Sequence, residues 1–360
     1  MSQYTVPLRF LVGVLVSAPA ASETTGFQNE QLEFSKEPSL RYVGYNDIAE
    51  RGKRQNGYVE FSVMVNKEGK PKNETIVHST HSKFEKSAAT ALKRYRYAPA
   101  TMDGSPVESI SSVTVFMNYD TQDVVDFKSR WLRPRQTTSV MFKEFQETFD
   151  EVFDTEPRDI ERLEELLVIM TRLQYIGSRA QTLLNLNRSR LYGLVSKPNR
   201  QIRALNSAIV FNNEVTREKF RLNPEDLIAV QLSLLELYLQ TNRLAEFIEL
   251  WDELKASGVT EVDEFLDHYN KVSSAKTNNT TFARVIEIND RGNSFQRMLK
   301  RKFEIFDVTG EINQINFRCE TKYAEMEFLS ETTYSLPDSW GDCTLELIGE
   351  PNSTARLLQG

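Results

Sequence analysis

The chain has 360 residues, more than one typical domain, and we interpret it as three domains. Its formal net charge is −7, with acidic and basic residues interspersed, which argues against a general binder of nucleic acid or of anionic membranes. The sequence has no glycine-rich phosphate loop, nucleophile elbow or zinc-protease helix motif. We therefore expect a non-enzymatic protein with no cofactor and no small-molecule substrate.

Residues 1–22 have the pattern of a secretory signal peptide. Arg9 precedes an apolar run from Phe10 to Val16, and small residues follow it. A membrane-spanning helix needs about 20 consecutive apolar residues, and this run is shorter. We predict export to the periplasm and cleavage near Ala20 to Ser22. The alternative is that the segment is retained and anchors the protein to the inner membrane.

An α+β unit is predicted for residues 36–122. Residues 57–65 alternate between apolar and more polar side chains, as a half-buried strand does, and residues 75–77 resume an extended run after a turn. Apolar residues then recur at three- and four-residue spacing over residues 82–95, which is typical of a helix. Residues 110–119 alternate again and predict a last strand.

Spaced residues throughout this unit form a recognisable signature. A glycine and a valine open the first strand, a glycine turn follows, and an aromatic-x-Pro-Ala and a Gly-x-Pro-Val segment come later; the residues are Gly57, Val59, Gly69, Tyr97, Pro99, Gly104 and Pro106. Upstream, Tyr45 and Ala49 occupy a Tyr-Pro-x-x-Ala pattern in which Asn46 replaces the proline. This signature resembles the C-terminal domain of the TonB family of periplasmic energy transducers. The resemblance covers about residues 40–120 and implies a periplasmic location and protein partners.

The resemblance also implies where a partner binds. In the TonB family this domain captures an extended peptide of an outer-membrane receptor, and such peptides dock by adding a strand to a sheet edge. We expect residues 110–119 to form that edge strand. Replacing Val115 with proline should remove a backbone hydrogen-bond donor from the strand and abolish peptide capture. The expected contact residues are Thr114, Val115, Phe116, Met117 and Asn118.

Two alternatives remain open for this edge. The chain is either a TonB-type module in TonB-dependent transport or an envelope scaffold with no energy-transducing role. Separately, the alternative to peptide binding at this edge is that it is covered within the chain, by residues 31–50 or by the helical domain.

His78 and His81 are the strongest candidates for metal binding, because two imidazoles three residues apart could share an ion. No third ligand lies at a recognisable spacing, and Ser79, Thr80 or Ser82 can cap the following helix. We therefore predict no metal site.

A helical domain is predicted for residues 139–275. The clearest helix pair is 226–240 and 244–255, separated by a short polar break. Leu235, Tyr238 and Trp251 resemble a tetratricopeptide-type helical hairpin, and a plain helical bundle is the alternative.

Residues 282–360 return to short strands at fairly regular spacing, which suggests a small β-sandwich. The two cysteines of the chain, Cys319 and Cys343, both lie here. In an oxidising compartment such a pair most simply forms a disulfide, and we predict one.

Overall fold

The computed structural model describes residues 39–42, 54–55, 57–117, 133–171, 175–176, 178–215, 218 and 221–360. The predicted signal segment, residues 1–22, lies outside these ranges. Within them the protein has an α+β multidomain fold, as predicted, in which a small α+β region, a helical region and a C-terminal β region follow one another. The domain boundaries given above stay a prediction.

The first region is built on an antiparallel sheet. Its elements are β1 Ser39–Tyr42, β2 Arg54–Gln55, β3 Gly57–Val65, β4 Pro71–Ser79, α1 Glu85–Leu92, β5 Arg96–Ala98, β6 Ala100–Met102, β7 Ser105–Val107 and β8 Ser109–Met117. The sheet has the order β4-β3-β8, β1 pairs with β5, and β6 forms a hairpin with β7. The strands and the helix lie where the alternation and the helical spacing predict them.

One face of this sheet forms the core of the region. Val59, Phe61, Val63 and Val65 of β3 are buried together with the apolar residues of α1 and with Val113 and Val115 of β8. Because β3 is the central strand, its alternating valines contact both neighbours and the helix. Burial of this kind contributes about 1.5–3 kcal/mol for each large apolar side chain.

Gly69 is required by the turn between β3 and β4. Its φ is +75°, and a Cβ added there would lie 2.0 Å from the carbonyl oxygen of Tyr97. That contact exists because the amide of Tyr97 donates a hydrogen bond to the carbonyl of Gly69 at 2.8 Å. The glycine turn therefore joins the hairpin to the segment that follows α1.

The helical region consists of seven helices within the described residues. They are α2 Arg133–Asp154, α3 Ile160–Thr171, α4 Ser178–Leu194, α5 Pro198–Asn213, α6 Pro224–Gln240, α7 Leu244–Ala256 and α8 Leu266–Thr277, and a short strand, β9 Tyr175–Ile176, pairs with β2. Each helix packs on its neighbour in the sequence, as stacked helical hairpins do. No helix in the described ranges is long and apolar enough to cross a membrane.

The predicted helix pair is present as α6 and α7. Pro224 begins α6, and the side chain of Asn223 accepts a hydrogen bond from the amide of Asp226 at 2.7 Å, which caps the helix. Leu235, Tyr238 and Trp251 are buried in one cluster between the two helices. The side chains chosen from the sequence are therefore those that hold this hairpin together.

The C-terminal region is a β-sandwich, as predicted. Its strands are β10 Phe282–Glu287, β11 Asn293–Arg297, β12 Lys302–Thr309, β13 Ile312–Cys319, β14 Tyr323–Glu327, β15 Thr333–Ser335, β16 Cys343–Gly349 and β17 Thr354–Gln359. They form two antiparallel sheets of four strands, in the orders β10-β17-β12-β15 and β11-β16-β13-β14. Phe303, Ile305 and Leu357 of one sheet share a core with Ile315, Phe317 and Leu345 of the other.

The predicted disulfide is present in this sandwich. Cys319 and Cys343 lie directly opposite one another in the register of β13 and β16, and their sulfur atoms are 1.99 Å apart. Both residues are buried, at 0% and 7% relative exposure. The bond therefore joins two adjacent strands inside the sandwich core.

Replacing both cysteines with serine should lower the free energy of unfolding by about 3–4 kcal/mol, because the unfolded chain regains the entropy of a closed loop. The sequence separation of 24 residues sets that figure. Urea titration of the two proteins under non-reducing conditions measures the difference. Reduced wild-type protein is the control and should unfold close to the serine variant, whereas equal stability of all three would contradict the prediction.

Candidate functional site

Strand β8 is an edge of the first sheet. Its only neighbour in the sheet order is β3, and the two strands pair without a register shift from Gly57 opposite Met117 to Val65 opposite Ser109. An edge strand presents one row of backbone donors and acceptors away from the sheet. No described strand pairs with that outer row.

The hydrogen bonding shows which residues of β8 form the outer row. The amide of Ile110 donates to the carbonyl of Glu320, in the C-terminal region, at 3.0 Å, so it points away from β3. Backbone groups alternate along an antiparallel strand, and this pairing has no bulge. The amides and carbonyls of Ser112 and Thr114 therefore also point outward, and those of Val113 and Val115 point toward β3.

The five residues expected to contact a peptide do not share one environment. Thr114 and Phe116 lie on the second face of the sheet, away from α1, and the Phe116 ring is 5.7 Å from the Tyr58 ring. Val115 is fully buried in the core, Met117 is the last residue of β8, and Asn118 lies outside the described residues. The expectation that proline at Val115 tests the outer edge is wrong, because that amide pairs with β3. Thr114 is the position that tests it.

The signature residues support the framework of this region, not its edge. Val59 lies in the core, and the carbonyl of Gly69 accepts a hydrogen bond from the amide of Tyr97. Gly104, with φ +76°, occupies the turn between β6 and β7. Pro106 lies in β7, opposite Thr101 of β6, and Pro99 separates β5 from β6. Gly57 begins β3, and Tyr45 and Ala49 lie outside the described residues.

The start of the outer row is covered by the C-terminal sandwich, through the contact between Ile110 and Glu320. The cover proposed from the sequence, by residues 31–50 or by the helical domain, stays a prediction, because parts of both segments lie outside the described residues. Within residues 31–50, the described part is β1, which pairs with β5. Among its described residues, the helical region contacts the second face of the sheet, through Ser207.

The sandwich also binds the second edge strand of this sheet, β4. The Thr75 hydroxyl donates to Glu346 Oε1 at 2.7 Å, and Arg318 Nη1 donates to the carbonyl of Asn73 at 2.7 Å. Arg318 and Glu346 form an ion pair at 2.9 Å in which both side chains are only 2% exposed. The first region and the sandwich are therefore joined through a buried polar interface.

The helical region packs on the opposite end of the second face. The Tyr58 hydroxyl lies 3.0 Å from the Ser207 hydroxyl of α5, and Ser207 lies 3.3 Å from Nε2 of His78. The Tyr58 ring also meets the edge of the Phe211 ring, with 5.3 Å between centroids. Burial raises the pKa of Tyr58 well above its ordinary value, so the hydroxyl stays protonated.

The two histidines considered as metal ligands have separate partners. His78 faces Ser207, while Nδ1 of His81 accepts a hydrogen bond from the amide of Lys83 at 3.2 Å. His81, and none of the hydroxyl residues predicted for this role, thus caps the helical turn at Ser82–Phe84.

The environment of His78 predicts loss of stability in acid. Burial, with smaller effects from Arg291 and Arg203, lowers its pKa from 6.5 to about 4. Glu60 is its cross-strand neighbour. Because the folded protein binds this proton less readily than the unfolded chain, stability should fall as the pH drops from 6.5 to 4, by up to about 3 kcal/mol.

Denaturant titrations across that pH range measure the effect. His78→Gln can keep a hydrogen bond to Ser207 but cannot titrate, so its curve should be flatter than that of the wild type. Ser82→Ala is the control, because Ser82 is exposed near the same turn and carries no titrating group, so it should retain the wild-type slope. Parallel curves for all three proteins would contradict the assignment.

In the described residues, a small α+β region with an edge strand is docked on a helical region and on a sandwich, and strand edges are a recurring site of peptide binding. Residues 45–118 match the family model described as Gram-negative bacterial TonB protein C-terminal. The match confirms the resemblance for about a fifth of the chain. That family is a periplasmic, non-enzymatic protein-interaction domain. No curated protein matches the chain.

Proposed function

We propose that this protein is a periplasmic module that captures an extended peptide of an outer-membrane transporter by strand addition at β8, in TonB-dependent transport. The observation that carries the proposal is that the backbone amides and carbonyls of Ser112 and Thr114 point away from the sheet, on an edge strand of the region that matches the TonB C-terminal family. Main-chain hydrogen bonds give such a complex its affinity. A non-enzymatic role for the whole chain and its export by residues 1–22 are parts of the same proposal.

The covered start of β8 limits where a peptide can pair. Because Glu320 accepts from Ile110, a peptide that leaves the sandwich in place pairs from Ser112 toward Met117. Each added residue pair spans about 3.4 Å along the strand, so this row accommodates a short segment.

The second candidate function is an envelope scaffold without a role in transport. It is favoured by the docking of the first region on both other regions, through Ser207 on one side and Glu346 on the other. In that case β8 is an internal surface and the chain acts as one rigid adaptor.

Hydrogen exchange of the full chain distinguishes the two functions. The probe is a set of synthetic ten-residue peptides copied from the N-terminal segments of outer-membrane receptors. Strand addition should slow exchange at the outward amides of Ser112 and Thr114. Val113 and Val115, whose amides pair with β3, are internal controls and should change little. If every receptor peptide leaves Ser112 and Thr114 unprotected, the transport module is excluded and the scaffold is supported.

A further inference from the structure

Among the described residues, the second face of the first sheet is covered at its two ends and less covered between them. Tyr58, at one end of β3, is 1% exposed beneath α5, and Met64, at the other end, is fully buried opposite Ile110, where the sandwich contacts the sheet. Glu60 lies between them and is only partly buried, and Ser112 beside it is exposed. The two docked regions thus leave a cleft whose floor is Glu60 and whose rim is β8.

Glu60 has polar neighbours and, among the described side chains, no cationic partner. His78 and Thr114 flank it in the register, and the Ser112 hydroxyl lies 3.4 Å from Oε1. Among the side chains that the structure describes, the ion pairs do not include Glu60. Burial raises its pKa, and the contact with Ser112 offsets only part of that effect.

Two other carboxylates at these interfaces have a cationic partner. Glu85 of α1 pairs with Arg291 at 3.1 Å, and Glu346 pairs with Arg318 at 2.9 Å. A carboxylate that is withdrawn from water without a cation costs free energy, and an arriving cation removes that cost. The cleft at Glu60 is therefore complementary to a positive charge.

We infer that Glu60 binds a lysine or arginine side chain of the peptide that pairs with β8, so that the captured segment carries a basic residue at this position. The inference rests on the proposed function and adds to it the chemistry of the partner.

The distances allow this contact. An added strand would lie about 4.8 Å from β8 and about 10 Å from β3. A lysine or arginine side chain on the second face can span that gap by lying over Ser112 and Thr114, with its aliphatic part against the sheet. A shorter side chain cannot reach Glu60, so the cleft discriminates by length as well as by charge.

The test uses the full chain and a receptor peptide that protects Ser112 and Thr114 in the exchange experiment. Each residue of that peptide is replaced in turn by lysine and by norleucine, which is similar in length but uncharged. At the position over Ser112 and Thr114, lysine should bind about five- to tenfold more tightly than norleucine, as for a partly buried ion pair. Glu60→Gln should remove this preference, and added salt should weaken it in the wild type.

Glu68→Gln is the matched control, because Glu68 lies exposed in the turn after β3, away from β8. It should keep the wild-type preference for lysine. If peptides protect β8 but show no lysine preference, or one that Glu60→Gln leaves intact, the role of Glu60 is overturned while strand addition stands. If no peptide binds any variant, the proposed function is overturned and the role of Glu60 with it.

Discussion

Replacing Arg318 with alanine should lower the free energy of unfolding by about 3–5 kcal/mol, because it leaves Glu346 buried without a compensating charge. Both side chains are 2% exposed, and Arg318 Nε donates to Glu346 Oε2 at 2.9 Å. Glu346 also accepts from Asn316 at 3.1 Å and from Thr75 at 2.7 Å. Removal of Arg318 therefore disturbs a polar network that joins two regions of the chain.

Two comparisons separate the lost charge from lost packing. Arg356 and Asp307 form an exposed pair at 3.6 Å, so Arg356→Ala should cost less than about 1 kcal/mol. The double change Arg318→Met with Glu346→Leu removes both charges and should be less destabilising than Arg318→Ala alone. Urea unfolding followed by circular dichroism measures all three variants. A cost for Arg318→Ala no larger than that for Arg356→Ala would show that the pair contributes little.

Much of the fold follows from local patterns in the sequence. The alternation of Val59, Phe61 and Val63 predicted β3, because one face of that strand lies in a core. The pair α6 and α7 was predicted because a short polar break separates the apolar segments 226–240 and 244–255. These features depend on neighbours in the sequence, which is why sequence patterns show them.

Sequence patterns in residues 282–360 predict five strands, at 285–288, 303–306, 315–319, 324–328 and 344–348. These correspond to β10, β12, β13, β14 and β16, whereas β11, β15 and β17 were not predicted. In the missed strand β11, the polar residue Ser294 is buried. In the predicted strand β16, the charged residue Glu346 is also buried, where it contacts Thr75 of the first region. Glu346 and Thr75 are 271 residues apart in the sequence. A periodicity argument assigns such polar residues to solvent, because it contains no information on how separate regions dock.

The site was predictable in part. The position of β8 follows from its alternation, but the direction of its amides does not. Val115 was chosen as the test position because it lies in the strand. The hydrogen bond from the amide of Ile110 to the carbonyl of Glu320 shows instead that the backbone groups of the even-numbered residues of β8 point away from β3. Glu60 carried no signal in the sequence, since its significance comes from the two regions that dock on either side of it.

Replacing Thr114 with proline should weaken peptide capture by about tenfold or more, while the sheet stays folded. Proline removes the outward amide and leaves a peptide carbonyl without a donor, at a cost of about 1–3 kcal/mol. The pairing with β3 is retained, because the Thr114 amide does not take part in it. Edge strands tolerate proline where the lost amide faces outward. Titration of the full chain with a receptor peptide measures the change in affinity, and circular dichroism reports the fold.

Two variants at neighbouring positions make this result specific. Thr114→Ala keeps the amide and loses only the hydroxyl and methyl groups, so peptide affinity should change by no more than about twofold. Val115→Pro removes an amide that pairs with β3 opposite Val59, so it should lower the melting temperature of the first region in addition to abolishing binding. A folded Thr114→Pro protein that binds as tightly as Thr114→Ala would exclude strand addition at β8. The scaffold function would then be favoured, since the docking of the first region on the sandwich and on α5 does not require a free edge.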